Sequence, residues 1–216
     1  MTAEHDVAAA DWLERSSAAA SRPGLRRLVP AGFEATLRIH HPFWREGEPV
    51  SWQELLGDAP LRWDTSIDDV PGRGVHDPNP WLDLPQATAL VEALRDAGDD
   101  DPTIWIGACI AWGLYERFSA FPTYRGPREC LLHRGSLDTV VSEIERDSAP
   151  IVEGDPVLRP YQWWPHDRRW YVISDIDVNS TLVAGERRLL DRVQDRVESR
   201  FLPDDRDDPD LSFLTC

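Results

Sequence analysis

Residues 169–178 constrain the fold of this chain more than any other stretch. Trp170, Val172, Ser174, Ile176 and Val178 alternate with Tyr171, Ile173, Asp175 and Asp177. Successive side chains of a strand point to opposite faces, so this period-two pattern predicts a strand with one core face and a second face that turns acidic toward its end. Thr181 to Ala184 follows a polar turn and is placed to pair back as a hairpin partner. A second alternation sets Phe33, Ala35, Leu37 and Ile39 against Glu34, Thr36, Arg38 and His40, and predicts a half-buried strand ended by His41-Pro42. Thr103 to Trp112 is almost continuously apolar, as in a strand covered on both faces, and Glu129 to Arg134 reads as another strand. Elsewhere the period shifts to that of a helix. Ala87, Leu90, Val91 and Leu94 make one such stripe, Leu137, Val140, Val141 and Ile144 a second, and Leu189, Leu190, Val193, Val197 and Phe201 a third. Ser51 caps a brief helix through Trp52, Leu55 and Leu56, with Glu54 at the capping-box position. Strands and helices mixed in this order predict an α+β fold, a single domain with a mainly antiparallel sheet flanked by helices.

A chain of 216 residues is long enough to bury a core without disulfides or metals. Residues 5 to 20 read as an Ala-rich helix closed by Arg22-Pro23-Gly24, so residues 1–28 are expected to form an N-terminal helical appendage. Residues 29–203 form the α+β domain, and 204–216, with Asp204, Asp205, Asp207, Asp208 and Asp210, an acidic C-terminal tail. Between Asp58 and Pro85, Pro60, Pro71, Pro78, Pro80, Gly72 and Gly74 prevent sustained helix or central strand, which predicts a long functional loop or a linker.

A formal net charge of -16 repels phosphate backbones and anionic lipid, and no run of basic residues offsets it, so neither nucleic acid nor membrane is expected as a partner. The chain contains no Lys. A P-loop, a Schiff-base enzyme and a protein kinase each lack the residue they work through. The first twenty residues carry Glu4, Asp6, Asp11 and Glu14 without an apolar run, which is unlike a signal peptide. Three cysteines, Cys109, Cys130 and Cys216, show no C-x-x-C spacing and suit reduced thiols in a cytoplasm. No cofactor is implied.

The segment Asp175-Ile-Asp177-Val-Asn179 with Glu186 twelve positions from the start follows a calcium-loop spacing. Ser180 stands where that loop needs Gly, and the preceding segment reads as strand rather than helix, so no metal is assigned. His40 and His41 are candidates for acid–base chemistry, although H-E-x-x-H is absent. No G-x-S-x-G elbow marks a nucleophilic Ser, and Cys109 lies in an apolar run that suits an inert thiol. Of ten tryptophans, Trp44, Trp63 and Trp81 stand among polar, Pro and Gly residues. With Arg73, and with Arg45 and Arg62 nearby, they suit a protein partner, because Trp and Arg are preferred hot-spot types.

Trp164-Pro-His-Asp167-Arg168-Arg-Trp170 followed by Asp175-Ile-Asp177 and Ser180-Thr181-Leu-Val-Ala-Gly185 resembles a family of uncharacterised actinobacterial proteins. Its pattern is W-P-x-D-R-x-W with [DE]-I-D-x-x-S-T-x-V-x-G. The likeness extends through Arg128 to Leu132, Ile104 to Gly113 and Pro30 to Pro42. The resemblance implies no activity, and it favours strand and turn over a calcium loop at Asp175. The overall arrangement is similar to bacterial immunity and regulatory domains of the SUKH type. Trp164, Asp167, Arg168, Asp175, Asp177 and Thr181 therefore join His40 and His41 as candidate site residues. The expected function is a cytoplasmic, non-enzymatic protein-binding module of regulatory or immunity-like type. The alternative is a hydrolase or metal-binding enzyme using carboxylate and histidine.

Overall fold

The structure, a computed structural model, describes residues 3–19, 24–70, 74–97, 103–110, 118–148, 159–175 and 177–203. Arg73, Cys216 and the acidic tail lie outside the described residues. The fold is α+β. Its centre is the hairpin read from residues 169–185: β8 (Trp170–Asp175) pairs with β9 (Ser180–Gly185), from Trp170↔Gly185 to Asp175↔Ser180. On the far side of β9 lies β1 (Ala35–His40), in register from Ala35↔Gly185 to His40↔Ser180. Asp175, Ser180 and His40 thus share one cross-strand row.

The other flank adds β7 (Pro160–Pro165), β4 (Ile104–Cys109), β6 (Glu129–Gly135) and β5 (Thr123–Arg125), and β10 (Ser199–Phe201) closes the edge beside β1. Among the described residues this makes an eight-stranded antiparallel sheet ordered β10-β1-β9-β8-β7-β4-β6-β5. A register shift between Gly107 and Ala108 bulges the β4–β7 pairing. Gly107 is required there, since a Cβ would fall 1.9 Å from the Tyr124 hydroxyl.

Three helices cover one face: α3 (Leu84–Asp96), α4 (Leu137–Ser148) and α5 (Arg187–Gln194). Asp83 caps α3 by accepting from the Gln86 N–H, with Pro85 in the first turn where a missing N–H costs nothing. Leu90, Leu94, Val140 and Leu190 pack onto Ile39, Ile106, Trp163 and Val172. The opposite face is aromatic, with Tyr124, Tyr161, Trp164 and Tyr171 beneath Ala10, Leu13, Leu25, Leu28 and Val29. The described part of residues 1–28, expected as an appendage, packs on this face: Leu13 of α1 (Asp11–Ala19) is 1% exposed.

A third cluster builds on the short hairpin of β2 (Phe43–Arg45) and β3 (Glu48–Val50), with α2 (Trp52–Leu56). Phe43, Val50, Trp52, Leu61 and Val70 pack together, so the described part of the Pro-rich stretch is an ordered layer rather than a linker. Ser51 caps α2 through the Glu54 N–H as expected, while the Glu54 carboxylate turns outward to Arg45.

Two expectations are corrected, and one strand comes from a stretch for which none was read. The third helical stripe ends at Gln194, and Val197 to Phe201 turn into the edge strand on β1, whose open hydrogen bonds outweigh the helical spacing. The strand Pro160–Pro165 has no exposed position and therefore no alternation to betray it. Arg38 and His40, on the polar side of the first alternation, are 4% and 0% exposed because the 43–70 layer lies over them.

Candidate functional site

The candidate residues gather in three places. At the end of β8, Asp175 is 3% exposed and points to the aromatic face. Arg128 grips it in a fork, Nε to Oδ2 at 3.1 Å and Nη2 to Oδ1 at 3.0 Å, and the same Nη2 donates to Asp177 Oδ2 at 2.6 Å. The Tyr161 hydroxyl donates to Asp175 Oδ2 at 2.5 Å, and the Asp177 N–H to Oδ1 at 2.9 Å. Burial pushes the Asp175 carboxyl up, but the bonds from Arg128 and Tyr161 outweigh it and hold the group below the usual carboxylate value. Bonding to Asp175 in turn raises the Arg128 guanidinium, and burial raises the Tyr161 hydroxyl. Arg27, Gly126 and Pro127 complete a surface cavity of about 470 Å³ over this cluster.

The carboxylates are occupied by the guanidinium and do not face an open metal position. Glu186 follows Gly185 at the far end of β9, about 20 Å along the strand from the Asp175 row. A loop that must close Asp175, Asp177, Asn179 and Glu186 around one ion cannot form across that span. Among the described residues, no group of three or more His, Cys, Asp or Glu is placed to hold a metal ion.

Alongside, on the aromatic face, Gln162 Nε2 donates to the Tyr124 hydroxyl and the Tyr171 hydroxyl donates to Gln162 Oε1, both at 2.5 Å. Every polar atom of the amide side chain is thereby engaged inside an apolar layer, where an unpaired one would be costly. Gly126 leaves room for this amide, 3.2 Å from where a Cβ would stand.

The second place lies under the helix-covered face. His41 Nδ1 is 2.7 Å from the Asn79 carbonyl, which requires it to be the protonated nitrogen, so Nε2 accepts from the Thr181 hydroxyl at 2.9 Å. Thr181 Oγ1 is also 2.6 Å from Ser174 Oγ. The arrangement has the connectivity of a nucleophile, base and orienter, yet His41 and Thr181 are both 0% exposed. Burial pushes the His41 imidazole down to about 4, so it is neutral over the physiological range. The chain of bonds pins the 76–83 segment to the sheet. His40, on the opposite side of β1, lies 5.1 Å from the Trp52 ring, and neither ring nitrogen has a partner among the described residues. Burial, then Arg38 and Arg200, depress it well below the ordinary histidine value. Arg38 itself donates to Ser180 Oγ at 3.1 Å and to the carbonyls of Trp63 and Thr65 at 2.7 and 3.3 Å, tying the covering layer to β1. Burial lowers its guanidinium to about 10.

The third place is open. Trp44 and Trp81 share a groove of about 460 Å³ with Asn79, Asp83, Pro85 and Arg159. The Arg159 guanidinium lies 5.1 Å above the Trp81 ring, and the His76 backbone bridges Trp44 in both directions, holding the floor of the groove. Burial raises the Asp83 carboxyl, with the Gln86 N–H acting in the opposite sense.

The remaining candidates disperse. Trp63 packs against the aromatic face and does not line the groove that Trp44 and Trp81 share. Trp164 is 0% exposed and meets Trp12 edge-on at 5.9 Å, so it is core. Asp167 and Arg168 sit in the β7–β8 turn, where Asp167 pairs with Arg169 at 3.5 Å and Arg168 reaches over Trp12 at 5.2 Å. Sequence reading missed Arg128, Tyr161, Gln162 and Arg38. Tyr161 and Gln162 lie between two prolines where no strand was expected, and only register could bring Arg128 across to Asp175.

Compared with known proteins, the chain matches no protein-family model, no curated protein and no solved structure. Among the described residues no helix is long and apolar enough to cross a membrane.

Proposed function

We propose that this chain is a non-catalytic protein-binding module of the cytoplasm, regulatory or immunity-like in type, that engages a basic protein partner through the Trp44–Trp81 groove. The observation that carries the reading is the groove itself. Trp44 and Trp81 line an opening of about 460 Å³ and both are partly exposed, whereas the cavity of about 470 Å³ over Asp175 and Asp177 is lined by carboxylates already held by Arg128. Two indoles beside Arg159, Pro85 and Leu84 make a concave surface of hot-spot residue types into which an apolar side chain of a partner fits. A net charge of -16 favours a partner whose surrounding surface is basic and accelerates their encounter.

A hydrolase built on Asp175, Asp177, His40 and His41 needs those groups in one water-accessible cavity within reach of a substrate proton. Both histidines are 0% exposed, and Asp175 is saturated by Arg128, Tyr161 and a backbone N–H. These features support structural roles for them.

The test is a pull-down from host lysate at low salt, read by native mass spectrometry, with wild type beside a Trp44→Ala, Trp81→Ala double variant. A stoichiometric protein partner is expected, weakened at high salt. Loss of two hot-spot anchors should weaken it at least about 30-fold. A partner indifferent to both tryptophans, or a retained small molecule that is turned over, overturns the reading.

A further inference from the structure

Cys109 and Cys130 are directly opposed on β4 and β6, the last matched pair of a register that begins at Ile104↔Gly135. The next pair, Ile110 and Glu129, is joined by a backbone bond from the Ile110 N–H to the Glu129 carbonyl at 3.1 Å. In an antiparallel ladder, hydrogen-bonded and non-hydrogen-bonded pairs alternate, so Cys109 and Cys130 occupy a non-hydrogen-bonded pair. Such residues have Cα atoms about 4.5 Å apart and side chains on one face, which falls within the range a disulfide bridges without backbone movement. The Cys109 thiol is near enough to raise that of Cys130 further. The face is the same for both: Cys130 belongs to the aromatic core cluster, and Cys109 packs against it half-buried.

We propose that Cys109 and Cys130 are a site of reversible oxidation, closing to an intramolecular cross-strand disulfide when the protein meets a hydroperoxide. Exposure assigns the order of events. Cys109 is half-buried and so within reach of the oxidant; Cys130 is buried, and burial raises its thiol well above the ordinary value. The Cys109 thiolate attacks the peroxide oxygen, the O–O bond breaks, and a sulfenic acid forms with release of water or alcohol. The Cys130 sulfur then attacks the sulfenic sulfur and expels a second water, carrying away its own thiol proton. Two thiols lose two electrons and two protons, and one peroxide is reduced. A dithiol reverses the step by attacking the accessible Cys109 sulfur.

Closure acts on a defined neighbour. Cys130 Sγ lies 3.8 Å from Gln162 Nε2, the amide that joins Tyr124 to Tyr171. Oxidation removes the thiol hydrogen and staples the edge of the sheet beside that polar core. It also restrains the 110–129 segment in the unfolded chain, which raises the melting temperature. This site is independent of the Trp44–Trp81 groove.

The experiment treats the full wild-type chain with hydrogen peroxide near neutral pH, then blocks remaining thiols by alkylation and reads intact mass and tryptic peptides. The expected product has lost the mass of two hydrogens, carries one alkyl group in place of three, and yields a Cys109–Cys130 cross-linked peptide that dithiothreitol releases. Cys216→Ser should leave this cross-link intact, and Cys109→Ser should abolish it and leave Cys130 alkylatable. Three alkylated cysteines after peroxide, a link involving Cys216, or over-oxidation of Cys109 to the sulfinic acid without a cross-link would each refute it.

Discussion

The two faces of the sheet are built on different physics. Under the helices the core is aliphatic and indole, with Leu37, Ile106, Trp163, Val172 and Val183 meeting stripes of Leu, Val and Ala. Beneath the N-terminal segment, four aromatic residues enclose buried polar groups, and those groups are bonded to one another rather than excluded. Apolar burial is non-directional and tolerates repacking, whereas a buried amide or carboxylate is stable in one geometry only. The helix-covered face therefore coheres by buried apolar area, and the aromatic face adds directional bonds.

The largest effect is expected from truncation on the aliphatic side. Trp163→Ala removes a side chain that is 1% exposed and packs edge-on against Trp170 at 5.6 Å. It should cost about 3 to 5 kcal/mol in urea unfolding. A loss under about 1 kcal/mol would mean that this face collapses around the hole, against the density of a native core.

Acid should act nearly as strongly, through the polar contacts. His41 is neutral in the fold down to about pH 4, whereas in the unfolded chain it takes up a proton below about 6.5. Its contribution is therefore fully present above the unfolded value and is lost as the pH falls from 6.5 toward 4, by about 3 kcal/mol in all. His40 is shifted in the same direction and steepens the same window. Urea midpoints at intervals between pH 7 and 4 measure this, and His41→Gln should flatten the profile; an unchanged slope would remove His41 as its source.

Asp175→Ala should cost somewhat less, about 2 to 3 kcal/mol, by leaving the Arg128 guanidinium and the Tyr161 hydroxyl without their acceptor. The difference between the faces should appear in kind as well as size. Asp175→Ala is expected to broaden the amide spectrum around Tyr161 and Arg128, whereas Trp163→Ala lowers the melting point with dispersion retained. Equal sharpness in both would contradict a specifying role for the polar contacts.

The smallest effect belongs outside both faces. Arg45→Ala breaks an ion pair with Glu54 whose side chains are 46% and 56% exposed, and should change stability by under about 1 kcal/mol, less at high salt. A larger loss would show that the β2–β3 layer depends on surface charge more than on Phe43 and Trp52.

The aliphatic face was legible because helices announce themselves at a spacing of three and four. Leu90, Val91 and Leu94, and Val140 and Ile144, were read in sequence and are buried where the sheet requires them. The aromatic face was not. Its strand Pro160–Pro165 is buried along its whole length, so polarity does not alternate, and Gln162 looks like any exposed amide until Tyr124 and Tyr171 arrive from other strands. The candidate site divides in the same way. Trp44 and Trp81 were selected by their polar and proline-rich surroundings, and both line the groove. Asp175, His41 and Thr181 were selected for chemistry but are buried with structural partners, and the exposed Asp177 is tied to Arg128.

By itself, the sequence determined the class of the fold: period-two and period-3.6 stretches in this order, with an apolar hairpin at 170–185, admit few arrangements other than an antiparallel sheet backed by helices. It also determined the exclusions that follow from lacking Lys and carrying a net charge of -16. The tertiary structure alone decided which polar residues are inside. Strand order set Arg128 against Asp175, Cys109 against Cys130 and the 43–70 layer over Arg38. Pairings between residues far apart in the chain depend on register, and register is set by the packing of whole faces rather than by any local pattern.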